Sequence, residues 1–358
     1  MTVVMENQNS TAGDFQELPP HSHAWVNSLR QRGAAAFEKQ GFPSQHLEEW
    51  RDTNITPVIR EPFAAAPRAG DKSARELAAK YSFGTSAAAE LVFVNGHFHP
   101  ELSRLHTQHD VTVSPFSEAF DDPLLEKQLG SSAKIELHPF AAVNTANLAD
   151  GAFVRIHKNA VCTRPIHLLF LTTSSQRTAS HPRVLVLADD HSESSVVETY
   201  AGENGGGYLT NAVTEIILSP GARLDHNKLQ QEGDAAFHIA LLQVMLSASS
   251  SFISHSTSLG SKLTRNDLEV FFGGEGAEAT LNGLVYAKGE QHIDNHTLLH
   301  HEKAHCPSHE LYKHVLAEKA TAVFKGKIFV QKDAQKTDSK QTSKTLLLSD
   351  TAFMNSQP

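Results

Sequence analysis

"ATLNGLVYAKGEQHIDNHT", residues 279–297, alternates apolar and polar residues, turns at "AKGE", and alternates again. A period of two with a glycine-bearing break is the pattern of successive short strands. The same texture fills the chain after Gly151: "AFVRIH", "PIHLLFLTT", "RVLVLAD", "SSVVETY", "VTEIILS", "FHIALLQVML", "SFISHSTSL", "LEVFF" and "TAVFKGKIFV" are separated by "SPGA", "QEGD", "FFGGEGAE" and "QKDA". No helical pattern longer than about two turns interrupts them. An all-β sandwich, barrel or solenoid follows, and internal repetition chooses among these. Residues 279–297 resemble 322–342, with Gly283 against Gly326 and Asp294 against Asp338, at offsets of 43 and 44. "GARLDHNKL" (221–229) resembles "GEQHIDNHTLL" (289–299), with Asp225 against Asp294 at an offset of 69. Read as multiples of ~22 residues, these offsets predict a three-sided coil, hence a right-handed parallel β-helix (β-solenoid). The repeated aspartates read as coil-corner residues.

Upstream the texture is helical. "HSHAWVNSLRQRGAAAFEKQGFP" places Trp25, Leu29, Ala36 and Phe37 at helical spacing and closes on Gly41 and Pro43. A second helix is expected at 72–82, capped by Asp71. "DDPLLEKQLG" and "HPFAAVNTANLADG" read as short helices, each closed by glycine. The expected organisation is a disordered lead at 1–20, a helical region at 21–88, a mixed α/β segment at 89–150 and a parallel β-helix from 151 to 358.

Composition narrows the function. With 40% hydrophobic and 20% charged residues the 358-residue chain can build a sizeable core in one or two domains. A net charge of −9 gives no basic excess to neutralise phosphates, so no nucleic-acid partner is expected. Two cysteines, Cys162 and Cys306, make no disulfide framework, which reads as cytoplasmic. The N-terminus lacks a basic-then-apolar signal, and "AFHIALLQVML" is far short of the roughly 20 residues of a membrane span, so no membrane association is expected.

The compositional anomaly is histidine, 22 in all, concentrated in "HHEKAHCPSHE" (300–310) after His292 and His296. His296, His300 and His305, or His301, His305 and His309, have spacings that suit a helix face, and Cys306 could add a thiolate. The flanks read as strand, however, where histidines four apart share a face but lie ~13 Å from one another. No HExxH, CxxC or paired Cys/His zinc pattern is present. As a nucleophile, Cys306 has His305 and His309 nearby to lower its pKa, but nothing marks an oxyanion hole. Cys162 reads as a small core residue. "FFGGEGAE" lacks the Lys-Ser/Thr of a phosphate cradle, and "AGENGGGY" has no dinucleotide-binding spacing.

Taken together the landmarks resemble the SufB/SufD family of the SUF iron–sulfur cluster assembly system, on its SufD side. The carrying segments are "GFPSQHLEEWRDTNI" (41–55), with its Glu-Glu-Trp-Arg signature; "FAAVNTANLADGAFVRI" (140–156); "CTRPIHLLF" (162–170); and the long run from Asn295 to Ser349 with its His, Ser, Lys, Phe-x-Gly and Lys-Thr-Asp. His296, His301, Cys306, Ser308 and Lys313 match family positions; His300, His305 and His309 fall where the pattern is loose. The resemblance implies a non-enzymatic scaffold that pairs with a SufB-like subunit through its β-helix and works with a SufC-like ATPase. It implies no cofactor bound stably by the isolated chain, with iron or an iron–sulfur cluster held at the interface of the assembled complex. Cys306, then His301 and His296, are the expected metal contacts. The family's C-terminal Cys/His segment and its helical, SufC-contacting domain have no counterpart after "LLLSDTAFMNSQP"; the chain reads as truncated there, and is expected to be less stable than a longer version. The rival readings are a β-helix enzyme acting on polysaccharide, which needs grouped carboxylates such as Asp225, Asp294 and Asp338 would have to supply, and a histidine-rich metal-binding β protein.

Overall fold

In the computed structural model, residues 18–60, 62–67, 71–105, 110–173 and 176–357 are described; the expected lead at 1–20 lies outside them as far as residue 17. From Ile166 onward the chain winds through two facing sheets, laying one strand in each per coil. The first sheet stacks Arg183–Ala188, Leu209–Leu218, Phe237–Leu246, Leu263–Phe272, His292–His301, Thr321–Val330 and Phe353–Gln357. The second stacks Ile166–Thr172, Glu193–Gly202, Arg223–Gln231, Ser251–Ser258, Glu278–Ala287, Ser308–Leu316 and Ser339–Leu347. All these pairings are parallel. The molecule is a mainly-β parallel solenoid preceded by a small helical region.

The coil is two-sided, which corrects the three-sided coil of ~22 residues. Register partners such as Phe237↔Leu263 and Thr321↔Phe353 set coils 26 to 32 residues apart. The offsets of 43 and 69 are therefore about one and a half and two and a half coils. Gly283 and Asp225 lie in the second sheet, Gly326 and Asp294 in the first. The similarity had matched strands from opposite sides of the coil. Nor are the aspartates all corner residues: Asp225 is exposed mid-strand, Asp294 is buried mid-strand, and only Asp338 precedes a strand.

Alternation in the sequence is alternation of faces. In Glu278–Ala287 the inward Ala279, Leu281, Gly283, Val285 and Ala287 are buried while Leu284 and Tyr286 are exposed. Inward residues of both sheets, among them Leu168, Val186, Leu224, Phe252, Leu281 and Phe324, form one continuous core. Each such large side chain contributes roughly 1.5–3 kcal/mol by leaving water. Gly283 is required where it stands: its register partner is Tyr312, and a Cβ there would enter the Tyr312 ring.

The corners repeat too. One residue per coil takes a left-handed backbone just before the second sheet: Asn159, His191, Gly221, Ser249, Gly276, His305 and Lys336, all with φ between 55° and 70°. Their N–H groups bond along the stack, as Gly221 to Ala248 O (2.9 Å), Gly276 to Ala304 O (3.2 Å) and His305 to Gln335 O (3.0 Å). These amides would otherwise be orphaned at a bend.

The helical region clamps the N-terminal coils. Helix Ala24–Gln40 lies against helix Pro139–Ala146, with Gly33 so close that a Cβ would meet the backbone of Ala142 and Ala146. Both cover the outer face of the first sheet. A buried pair, Arg183 to Glu215 at 2.6 Å, fastens the 130–133 loop there, since Glu215 also accepts from the N–H groups of Gly130, Ser132 and Ala133. Helix Asp71–Tyr81 covers the start of the second sheet, packing Ala74 and Ala78 on Val92, Leu169 and Leu171. Among the described residues no helix is long and apolar enough to cross a membrane.

Candidate functional site

The histidine-rich stretch spans a corner. His292–His301 is a strand of the first sheet, residues 302–307 turn, and Ser308–Leu316 enters the second. Even-numbered positions of the first strand face outward and odd-numbered ones inward, so His296 and His301 point to opposite sides of the sheet. His301 is buried between the sheets, stacked on Phe272 (4.1 Å between centroids), with Nε2 3.2 Å from Ser308 Oγ and from Ser339 Oγ. Burial pushes its pKa down to about 4, so it is a neutral imidazole. Cys306 is also buried, and its thiol donates to Gly274 O (3.4 Å) and Ala304 O (3.3 Å). Burial raises the thiol's pKa. The expectation that His305 and His309 activate Cys306 is thereby corrected. His305 is the left-handed corner residue, directed at Glu275, and His309 is exposed on the outer face. Among the described residues no group of three or more His, Cys, Asp or Glu side chains is placed to hold a metal ion.

His296 belongs to a different cluster, on the outer face of the first sheet. Its neighbours in register are Asp267 and Lys325, and the segment Glu48–Thr53 lies across them. Arg265, buried, donates to Asp294 Oδ2 (2.6 Å), Asp267 Oδ1 (2.7 Å) and Glu49 O (2.8 Å), with Trp50 stacked 4.6 Å from the guanidinium. Thr53 Oγ1 donates to Asp294 (2.5 Å). His296 lies 3.0 Å from Asp294 and 3.4 Å from Glu49. Burial opposes its charge, but the two carboxylates win and its pKa is raised. Asp294 is likewise held below the usual carboxylate range despite burial, chiefly by Arg265. Lys325 and Lys327 close the cluster against Glu48 and Glu49. A cavity of about 250 Å³ opens beside it, lined by Trp50, His138, Leu241, Arg265, Glu269 and Lys327 among others.

A third cluster sits inside the solenoid. Glu198 accepts from Tyr200 (2.6 Å) and Thr214 (3.0 Å) and pairs with His226 (2.9 Å). Glu232 pairs with His238 (2.7 Å). Between them Lys228 donates to Asn266 Oδ1 (2.7 Å), and burial pushes its pKa down to about 8. The adjoining cavity, about 30 Å³, has room for about one water.

Two family models match the chain in order: the SufBD protein N-terminal region over residues 13–168, and the SufBD core domain of SUF-system FeS cluster assembly over residues 170–358. The chain belongs to the SufBD family. It is similar to an iron–sulfur cluster assembly SufBD family protein of Synechocystis, 29% identical over 343 residues, spanning 92% of this chain and 75% of that protein. It is similar to the iron–sulfur cluster assembly protein SufD of Escherichia coli, 27% identical over 327 residues, spanning 89% of this chain and 73% of that one. The chloroplastic protein ABCI7 of Arabidopsis thaliana is 29% identical over 227 residues, 61% of this chain and 48% of that protein.

For this SufBD protein the three expected metal contacts do not converge. His301 faces the interior, Cys306 lies in the following corner, and His296 is bonded into an outer ion-pair network. Asp225, Asp294 and Asp338 are not grouped either, which removes the carboxylate cluster the polysaccharide reading required. Sequence reasoning missed Arg265, Glu198, Lys228 and Glu232. Glu198 and Arg265 were marked locally only by a charge within a strand, as in "SSVVETY" and "LTRNDLEVFF", while Lys228 lies in the polar strand "RLDHNKLQQ" and Glu232 in the turn that follows it. The Glu-Glu-Trp-Arg signature was noticed, but not that it docks onto strands more than 200 residues away.

Proposed function

We propose that this chain is a SufD-type scaffold subunit that carries out no reaction itself. It pairs through its solenoid with a SufB-like subunit, works with a SufC-like ATPase in the cytoplasm, and serves the assembly of iron–sulfur clusters that are cargo of the complex. The observation that carries this reading is the similarity to SufD along 89% of the chain, through both the helical region and the solenoid. The side chains agree with a scaffold that holds no resident cluster: a soft-metal ligand set needs thiolate and free imidazole, whereas the Cys306 thiol is buried and protonated and His296 is ion-paired. His301 and Cys306 are the groups on this chain that a partner could recruit, because the neutral His301 ring and the Cys306 sulfur need only a local opening to be reached.

The test is co-expression with SufB-like and SufC-like proteins, with complex mass measured by light scattering and iron measured after anaerobic reconstitution. A stoichiometric complex that holds iron, with no iron on the lone chain, supports the proposal. A lone chain that binds no partner and takes up stoichiometric iron or zinc overturns it.

A further inference from the structure

The outer face of the second sheet changes character along the solenoid. At its start it is apolar and covered by helix Asp71–Tyr81 of the same chain. Over its last three strands no element covers it among the described residues, and two stripes run across the strands. One follows the register Tyr286↔Val315↔Leu346, with Tyr286 41% and Leu346 56% exposed. The other follows Leu284↔Lys313↔Lys344, with Leu284 42% exposed. Lys313 and Lys344 are direct partners on adjacent parallel strands ~4.8 Å apart, both exposed. Like charges in that position destabilise a sheet. Neither has a carboxylate within ion-pair distance among the described residues; the third lysine of the face, Lys340, has Asp338 at 3.1 Å. The chain as a whole carries a net charge of −9, so this basic, partly apolar face runs against the average of the molecule.

We propose that this face is a docking surface for an amphipathic helix of a partner protein, with carboxylates flanking its apolar stripe. The helix would lie along the solenoid axis. Residues one turn apart on such a helix, ~5–6 Å, come close to the strand spacing, so successive apolar side chains meet Tyr286, Val315 and Leu346. Carboxylates on the adjoining flank then meet Lys313 and Lys344 and remove their repulsion. The chain already covers the other end of the same sheet with a helix of its own, packing Ala74 and Ala78 on Val92, Leu169 and Leu171. The inference stands apart from the SufD reading, since it rests on the face alone.

The test uses the full chain and a fluorescein-labelled synthetic helical peptide with a leucine stripe flanked by glutamates. The controls are a twin peptide with lysines in place of the glutamates, and vesicles of anionic lipid. Anisotropy should show saturable binding of the glutamate peptide, at least about tenfold weaker for the twin, weakened by salt, and lost in K313E/K344E. Both positions are exposed, so the variant should keep the wild-type circular dichroism melt. L346S, which leaves the charges in place, should also weaken binding. Equal binding of both peptides, binding unaffected by K313E/K344E, binding to vesicles in place of the peptide, or self-association that consumes the face would each overturn the proposal.

Discussion

Replacing Arg265 by Met tests whether the Glu48–Thr53 segment is locked onto the solenoid as the geometry requires. Arg265 is 2% exposed and its partner Asp294 is fully buried. The substitution keeps most of the side-chain volume but removes the donors to Asp294, Asp267 and Glu49 O. It also removes the cation over Trp50. Asp267 can turn to water; Asp294 cannot, and keeps only Thr53 and His296. Breaking a buried pair in this way costs about 3–5 kcal/mol, because one charge stays buried without its partner. At a urea m-value of ~3 kcal/mol/M the unfolding midpoint should fall by about 1–1.7 M. Replacing Asp294 by Leu in the same chain should recover part of the loss, with a coupling of about 1–3 kcal/mol. Hydrogen exchange would localise the effect: amides of residues 48–55 should lose protection before those of Arg183–Ala188. A loss below about 1 kcal/mol for Arg265→Met, or strict additivity in the double variant, would refute the lock.

Two further outcomes are expected. Glu310 is buried between the sheets, and burial pushes its pKa up to about 7 from 4.5. A carboxyl whose folded value is raised contributes stability fully present below its unfolded value and lost as pH rises through the folded one. Glu310→Gln, which retains an acceptor for the Gln341 amide (3.0 Å), should therefore match the wild type near pH 4 and exceed it by up to about 3 kcal/mol at pH 8 in urea titrations; a gap independent of pH would contradict this. Of the two thiols, half-buried Cys162 should react with a disulfide reagent at least ~100-fold faster than Cys306, whose exposure needs local opening of about 3 kcal/mol. Equal rates in the folded protein would show that the Cys306 corner is open.

How much of this was legible follows from the range of the interactions involved. Alternation in "ATLNGLVYA" and "FHIALLQVML" is a local signal, and the side chains do alternate between core and exterior. The turn formers are local too, so "SPGA" with Gly221 fell at a corner and "HIDNHTLLH" within the strand His292–His301, as read. In the last coils the strands "SKQTSKTLL" and "FMNSQ" escaped notice, because the first is polar on both faces over most of its length and the second is short; pairing with Ser308–Leu316 and Thr321–Val330 makes them strands. Coil length was misread because similarity between segments does not say which sheet each occupies, and a half-coil offset looks as good as a whole one.

By itself, then, the sequence determined what depends on neighbours along the chain: strand-forming alternation, the turn-forming breaks between strands, the helical start, and enough family positions to resemble the SufB/SufD proteins. Only the tertiary structure decided the rest. Whether a coil has two sides or three depends on how corners stack through bonds such as His305 N–H to Gln335 O, between residues 30 apart. Whether a histidine is a ligand, a buried ring or an ion-pair partner depends on what burial and register bring to it. His296 and His301, five residues apart on one strand, have pKa values shifted in opposite directions, because one faces Asp294 and Glu49 while the other is buried against Phe272 and two serines. No local pattern encodes that difference, since desolvation and charge pairing arise from residues that meet only when the chain is wound.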